Sequence, residues 1–459
     1  MTILGSAACP LRAAVIGSGP SGFYAAEALL QSGLKLTVDI IERLPTPYGL
    51  VRFGVAPDHP KLKEVVQVFA RIACHEACSL IGNTGVGRDV SMRSLGQLYH
   101  VVVVAAGASR DRCLGIPGEH LPGVHSATDF VGWYNGHPDC AHLQFDLSQE
   151  TAVVIGQGNV ALDVCRILAK SVDELRHTDI ASHALDALAS SRVREIHLIG
   201  RRGPAQAKFS PKELRELGHL EHCSAAVDER DLILSNECLV ELKDPHADAA
   251  ARNLQLLREF AQVGQVKTKQ CRIRFLLTPL EIHGDTRVRR IVFGRNELCG
   301  PAFDRQARCT DQRVELDAGL VFRSVGYRSE PFDMLPFDKA RGLIPHVDGR
   351  VACDGITDAR VYVTGWIKRG PTGIIGTNRA DSVASVQTLL SDLPFMTPVA
   401  KPGGSALREY LSSRGQRPTD WSDWERIDMV ERERGVATGR AREKLVRLDD
   451  MLAAAGSRS

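Results

Sequence analysis

A chain of 459 residues exceeds what one hydrophobic core ordinarily serves, so two or three domains are expected. With 44% hydrophobic and 24% charged residues it carries enough apolar surface to offset the entropy of ordering, which excludes a largely disordered protein. A formal net charge of +2 excludes a general pull toward nucleic acid or anionic membranes, and no apolar run approaches the roughly 18 residues of a membrane span.

The opening MTILGSAACPLR shows neither a basic segment before an apolar core nor the arginines of a transit peptide, so a cytoplasmic protein is expected. The next segment, AAVIGSGPSG, places a short apolar strand before Gly17, Gly19 and Gly22, and a helix from Ser21 to about Ser32. Glycine allows the tight turn and lets backbone amides at the helix start approach a pyrophosphate. Gly33 ends the helix, and LKLTVDIIE reads as the following strand, delivering Glu42 to the two hydroxyls of a ribose. Strand, glycine turn, helix and terminal acid together read as an FAD site. Further on, Cys74 and Cys78 flank His75 at helical spacing and read as ordinary helix residues, so no metal is assigned. The 12 cysteines contain no CxxC pair and look like packed, reduced thiols.

The run VVVVAAG closes the first unit at Gly107. A second fingerprint follows in TAVVIGQGNVALDV, where Gly156, Gly158 and Ala161 repeat the pattern. Its next strand, REIHLIG, ends in Arg201 and Arg202 where the first unit has an acid. A carboxylate would repel a 2′-phosphate, whereas guanidinium groups bind it, so this turn reads as selective for NADP. The segments RIRFLLTPLEI, VRRIVFG and RVELDA read as strands of an antiparallel meander, and LVFRSVG closes the second unit at Gly326. The strand in VYVTGWIKRGPTGIIGTNRADS cannot belong to the unit just closed and is expected to return to the first. From Lys401 onward, Trp421, Trp424 and a charged helical pattern read as an ordered ending of that same unit.

Taken together, GSGPSGFYAAEAL, PYGLVRFGVAPDHPKLK, GQGNVALDVCRIL, GRRGPAQAKFSPKELREL and GWIKRGPTGIIGTNRADS resemble the adrenodoxin reductase family of ferredoxin-NADP reductases, over nearly the whole chain. The resemblance implies an α/β fold with two Rossmann-like dinucleotide-binding domains, the NADP domain inserted into the FAD domain. The expected boundaries are 1–108 and 330–459 for FAD and 109–329 for NADP. It also implies FAD contacts at Ser21, Glu42, Leu50 and Val86, and in the returning segment at Trp366, Gly373, Ile374 and Ile375. NADP contacts are implied at Gln157, Gly158, Asn159, Val160, Arg201, Arg202 and Glu213, with Gly373 shared and Arg112 a further candidate. His59 in APDHPK is the titratable residue assigned to proton handling at the flavin, with Glu216 as its helper.

The activity so implied is hydride transfer from NADPH to FAD, followed by single-electron transfer to a ferredoxin, in a protein expected to be monomeric. Competing readings are a glutamate-synthase-like electron-transfer subunit, a flavin monooxygenase, a disulfide reductase and a non-catalytic NADP-sensing flavoprotein. The first would carry clustered cysteines ahead of the first glycine turn, where this chain has only Cys9, and the third a redox cysteine pair.

Overall fold

The computed structural model describes residues 3–262, 264, 267–353 and 355–456. The chain divides into two compact units, one formed by Met1–Arg110, Asn135–Ala141 and Tyr327–Ser459, the other by Asp111–Tyr134 and His142–Gly326.

The first unit is built on a seven-stranded sheet in the order His346–Val347, Arg350–Cys353, Ile356–Val363, Val101–Val104, Leu11–Ile16, Leu36–Ile41 and Cys78–Ile81. Its last five strands are parallel and the other pairings antiparallel. Val101–Val104 is buried throughout and Leu11–Ile16 almost so, which is why both read as unbroken apolar runs rather than alternating ones. The helix Pro20–Leu30 starts on a proline, whose fixed φ suits a first turn. It packs on Thr377–Asp392, the helix of the returning segment. Phe23 stacks on Phe69 at 4.9 Å in the core on this face of the sheet.

The C-terminal segment completes the same unit. Trp421–Ala437 opens with a capping box between Asp420 and Asp423, and Trp424, Ile427 and Met451 join the core. Fully buried Glu431 grips both terminal nitrogens of Arg52, accepts from the Leu445 amide at 2.9 Å and pairs with Arg442 at 3.1 Å. The Arg52 guanidinium also lies over the Trp424 ring at 5.2 Å. Upstream, Thr419 exchanges two backbone hydrogen bonds with Gly82, at 2.8 and 3.0 Å, beside the outermost strand Cys78–Ile81.

The second unit carries an all-parallel sheet in the order Val124–Ser126, Leu320–Arg323, Thr151–Ile155, Glu195–Ile199, Lys269–Arg274 and Cys223–Val227. A separate antiparallel meander is formed by Leu277–His283, Arg290–Cys299 and Gln306–Asp317. Here the sequence reading needs correction. RIRFLLTPLEI is two strands of different sheets, because Leu276 takes a left-handed φ of 58° and turns the chain out of the parallel sheet. The cysteine reading changes as well: the helix Val66–Ala73 stops before Cys74, and Cys78 opens a strand, so the two thiols do not share a helix. Burial pushes the Cys78 thiol up to about 12, as expected of an inert packed cysteine.

Candidate functional site

In the first unit, the glycine turn lies where the strand Leu11–Ile16 meets its helix, between the neighbouring strands Leu36–Ile41 and Val101–Val104. Two of its glycines are forced by packing: a Cβ on Gly17 would stand 2.6 Å from the Ala105 carbonyl oxygen, and one on Gly22 would stand 1.9 Å from that of Gly17. Gly19 is different, since a Cβ there would meet nothing within 4 Å. That leaves bare backbone at the start of a helix, with room above it, which fits a pyrophosphate. Glu42 directly follows the strand Leu36–Ile41 with its carboxylate already oriented, accepting from the Ser18 amide at 3.0 Å, the Ser18 hydroxyl at 2.6 Å and the Leu44 amide at 3.0 Å. A carboxylate has about four acceptor positions, so capacity for a ribose hydroxyl remains. A Cβ on Gly49 would stand 3.2 Å from Gly19 Cα, so this glycine lets the chain pass close to the turn just before Leu50, the first residue of the short helix Leu50–Phe53.

The returning segment is tied to this turn. The Ser21 hydroxyl donates to Asn378 Oδ1 at 3.0 Å, and the Ser382 hydroxyl donates to the Ser21 carbonyl at 3.0 Å. Ser21 therefore spends its side chain on fixing the returning helix. Gly365 presses so close that a Cβ would fall 2.2 Å from Ser21 Oγ. Trp366 follows, its ring 5.3 Å from that of Tyr327, and its buried indole N–H has no hydrogen-bond partner among the described residues. An orphaned buried donor of this kind suits a ligand that brings an acceptor. Gly373 has φ 83° and Ile374 is 74% exposed, a bare apolar surface of the sort a planar ring covers. Val86 lies in the loop after the strand Cys78–Ile81, where it bridges to Val90 and packs on the core of the other sheet face, and Thr84 in the same loop donates its amide to the Glu42 carbonyl at 2.9 Å. His59 precedes the turn Pro60–Lys63 and is buried, with its amide donating to the Ala56 carbonyl at 3.0 Å.

In the second unit, Gly156 has φ 149° and a Cβ there would lie 2.1 Å from the Ser324 carbonyl oxygen, while Gly158 is open. Gln157 lies across Gly200 at the end of the next strand, its buried Nε2 without a partner among the described residues. Asn159 and Val160 begin the helix Asn159–Ala169, and Asn159 Oδ1 accepts from the Ser210 amide at 2.8 Å. Arg201 and Arg202 directly follow Gly200, the first exposed and the second half-buried, and neither guanidinium is in an ion pair among the described residues. Their backbone is pinned instead, with the Arg201 carbonyl accepting from Asn296 Nδ2 at 2.7 Å and that of Arg202 from the Leu276 amide at 3.2 Å. The left-handed Leu276 that breaks the strand thus also fixes the arginine loop. Two unpaired guanidiniums beside an open glycine turn fit a nucleotide phosphate.

Glu213 opens the helix Pro211–Gly218 and is buried, but it faces Arg166, accepting from Nη1 at 3.1 Å. The same guanidinium, itself buried, reaches Asp163 at 2.7 Å and Glu216 at 4.0 Å. Arg112 has an exposed side chain and contributes its amide to the Gly326 carbonyl at 3.0 Å. Four participants were not singled out from sequence: Ser18, Asn378, Ser382 and Arg166. Asn378 and Ser382 carried a readable signal, as polar residues in GTNRADS; Ser18 and Arg166 are visible only through distant partners.

Two glycine turns on parallel sheets, one followed by a carboxylate and one by paired arginines, define a dinucleotide-binding flavoprotein that uses a pyridine nucleotide. Residues 11–202 match the family described as pyridine nucleotide-disulphide oxidoreductase, although all twelve cysteines of this chain are free. The mitochondrial NADPH:adrenodoxin oxidoreductase of Salvelinus fontinalis is 42% identical over 453 residues, covering 96% of this chain and 90% of that protein. The NADPH-ferredoxin reductase FprA of Mycobacterium tuberculosis is 43% identical over 464 residues, covering 96% and 98%. The solved structure of Mycobacterium tuberculosis FprA in complex with NADPH superposes with a TM-score of 0.92 at 42% identity, covering 98% of this chain and all of that one. The chain belongs to the adrenodoxin reductase family of NADPH-ferredoxin reductases. No helix among the described residues is long and apolar enough to cross a membrane.

Proposed function

We propose that this chain is an FAD-dependent ferredoxin-NADP reductase in which residues 1–108 and 330–459 hold FAD and residues 109–329 hold NADP(H). The observation that carries the reading is the contrast between the two turns: an oriented carboxylate, Glu42, completes one, and two unpaired guanidiniums, Arg201 and Arg202, complete the other. When bound, FAD supplies two-electron acceptance from NADPH and one-electron release to an iron-sulfur carrier. The protein's part is placement. Gly17, Gly19 and Gly22 hold the pyrophosphate at helix-start amides, and Glu42 takes the adenosine ribose. Leu50, Trp366, Gly373, Ile374 and Ile375 would line the flavin and keep water from it, and the buried Trp366 indole N–H would be available to donate to it. Gln157, Gly158, Asn159 and Val160 receive the NADP pyrophosphate, while Arg201 and Arg202 take the 2′-phosphate. Buried His59 is the residue we assign to proton handling beside the cofactor, and His59→Gln is expected to alter the pH profile of flavin reduction by NADPH.

The partner is an acidic ferredoxin, met in a brief, electrostatically steered encounter. The all-thiol cysteine complement supports a reducing compartment, which we take to be the cytoplasm, and a monomer is the working state. Stopped-flow mixing tests the whole reading. Purified yellow protein is expected to be bleached rapidly by NADPH, slowly by NADH, and to recover its colour on mixing with oxidised ferredoxin. A colourless protein that takes up no FAD, or one bleached equally by both nucleotides, would refute it.

A further inference from the structure

The turn Gly370–Gly376 has no regular secondary structure, yet it carries the surface that we assign to the flavin. It is held from behind by a lattice of polar side chains. Arg369 Nη2 donates to the Thr372 carbonyl at 3.1 Å, and Asn378 Nδ2 donates to the carbonyls of Ile374 and Ile375 at 3.3 and 3.1 Å. Arg369 also reaches Asn378 Oδ1 at 2.9 Å, the same oxygen that Ser21 holds. At the root of the lattice is Asp381. One carboxylate oxygen accepts from the Gly365 amide at 2.6 Å, Arg369 Nη1 at 3.1 Å and the Thr364 hydroxyl at 3.2 Å, and the other pairs with Lys368 Nζ at 2.9 Å. Gly365, Lys368 and Arg369 bracket Trp366 in sequence, so this one carboxylate sets the path of the chain on both sides of it.

We infer that Asp381 is a positioning residue that aligns the Trp366–Ile375 segment against the flavin and balances the Lys368 and Arg369 cations, thereby tuning how readily the bound cofactor accepts electrons. This deepens the function proposed above and rests on its assignment of that segment to FAD. The argument is one of charge and geometry. Two cations and one anion lie together at the head of the segment, all three largely withdrawn from water, with side chains 11%, 19% and 13% exposed. Burial opposes ionisation of Asp381, but Lys368, the Gly365 amide and Arg369 outweigh it and keep the carboxyl below its usual range. In a partly dry site a unit charge acts over several ångströms on any group that gains electrons, and a positive surplus favours the reduced form.

The test is spectroelectrochemistry of the FAD-loaded protein with opposed charge variants. Asp381→Asn leaves the two cations unbalanced, and its midpoint potential is expected to move positive. Lys368→Gln removes one cation, and its potential is expected to move negative. Asp381→Glu is expected to return toward the wild-type value. Release of FAD from Asp381→Asn is expected to be about tenfold faster, the loss of one charge-assisted hydrogen bond. If Asp381→Asn does not fold, the sign of the Lys368→Gln shift decides. Variants that keep FAD with wild-type potential and release rate overturn the inference while leaving the site intact. A wild-type protein that binds no FAD overturns the site assignment itself, so the two failures are distinguishable.

Discussion

Replacing Glu431 by glutamine tests how much of the first unit's stability comes from its C-terminal segment. Glu431 is fully buried, Arg52 nearly so, and the carboxylate receives two nitrogens of Arg52, one of Arg442 and the Leu445 amide. Glutamine keeps the volume but turns one acceptor oxygen into a donor facing other donors, and leaves Arg52 a buried cation without its anion. Breaking a buried pair by removing one partner costs about 3–5 kcal/mol. For a unit of this size each kcal/mol lowers the transition by about 2–4 °C, so a fall of roughly 6–20 °C is expected. Scanning calorimetry of wild type and Glu431→Gln measures it directly. The double variant Arg52→Met with Glu431→Leu serves as the counter-test, because an apolar pair of similar volume is expected to recover most of the loss. A transition unmoved in Glu431→Gln, or a double variant worse than the single one, would show that the pair does not anchor the segment.

Arg201→Ala combined with Arg202→Ala is expected to raise the KM for NADPH about a hundredfold, two charge-assisted contacts discounted for exposure, and to leave NADH nearly unaffected; equal losses with both nucleotides in steady-state assays would count against the phosphate assignment. Gly22→Ala should prevent correct folding of its turn, since the new Cβ would lie 1.9 Å from a carbonyl oxygen, whereas Gly19→Ala, with nothing within 4 Å, should fold normally and yet lose FAD. Circular dichroism read beside the flavin spectrum separates the two. Burial pushes the imidazoles of His125 and His137 down to about 4 from the ordinary histidine value of 6.5. Between those limits the unfolded chain takes up protons that the folded one refuses, so stability is full above about 6.5 and declines as pH falls toward about 4. His125 packs its ring 4.7 Å from that of Phe145, with Nε2 unpartnered among the described residues. His125→Phe should therefore flatten the decline in urea midpoint across that window, and an unchanged slope would place the acid sensitivity elsewhere.

What could be read from the chain alone follows the range of the interactions involved. The glycine turns are local: a strand, three small residues and a helix lie within a dozen positions, and the backbone demands at Gly17, Gly22 and Gly156 are met by near neighbours or the adjacent strand. Glu42 was readable for the same reason, as the residue that directly follows the next strand. The parallel strand Lys269–Arg274 was misassigned because apolar alternation runs through Phe275 and Leu277 without a break, and only the left-handed backbone at Leu276 reveals the change of sheet. The resemblance implies an NADP contact at Glu213; that its side chain faces Arg166 depends on a residue 47 positions away. The resemblance implies a cofactor contact at Ser21; that its hydroxyl also donates to Asn378 depends on a residue 357 positions on. Pairings of that length are set by the completed fold and leave no periodicity to detect.

The antiparallel bridge between Gly82 and Thr419 has a consequence for damaged forms of the protein. The strand Cys78–Ile81 is the last in its sheet, and the C-terminal segment covers part of it, with Thr419 bonded to the residue just beyond and Arg408 reaching the Leu80 carbonyl at 2.6 Å. Chains cut short before these residues would present that rim bare, with unpaired amides and carbonyls ready to recruit a neighbouring molecule. Premature termination is therefore expected to yield insoluble aggregates, a different fate from that of a merely inactive monomer.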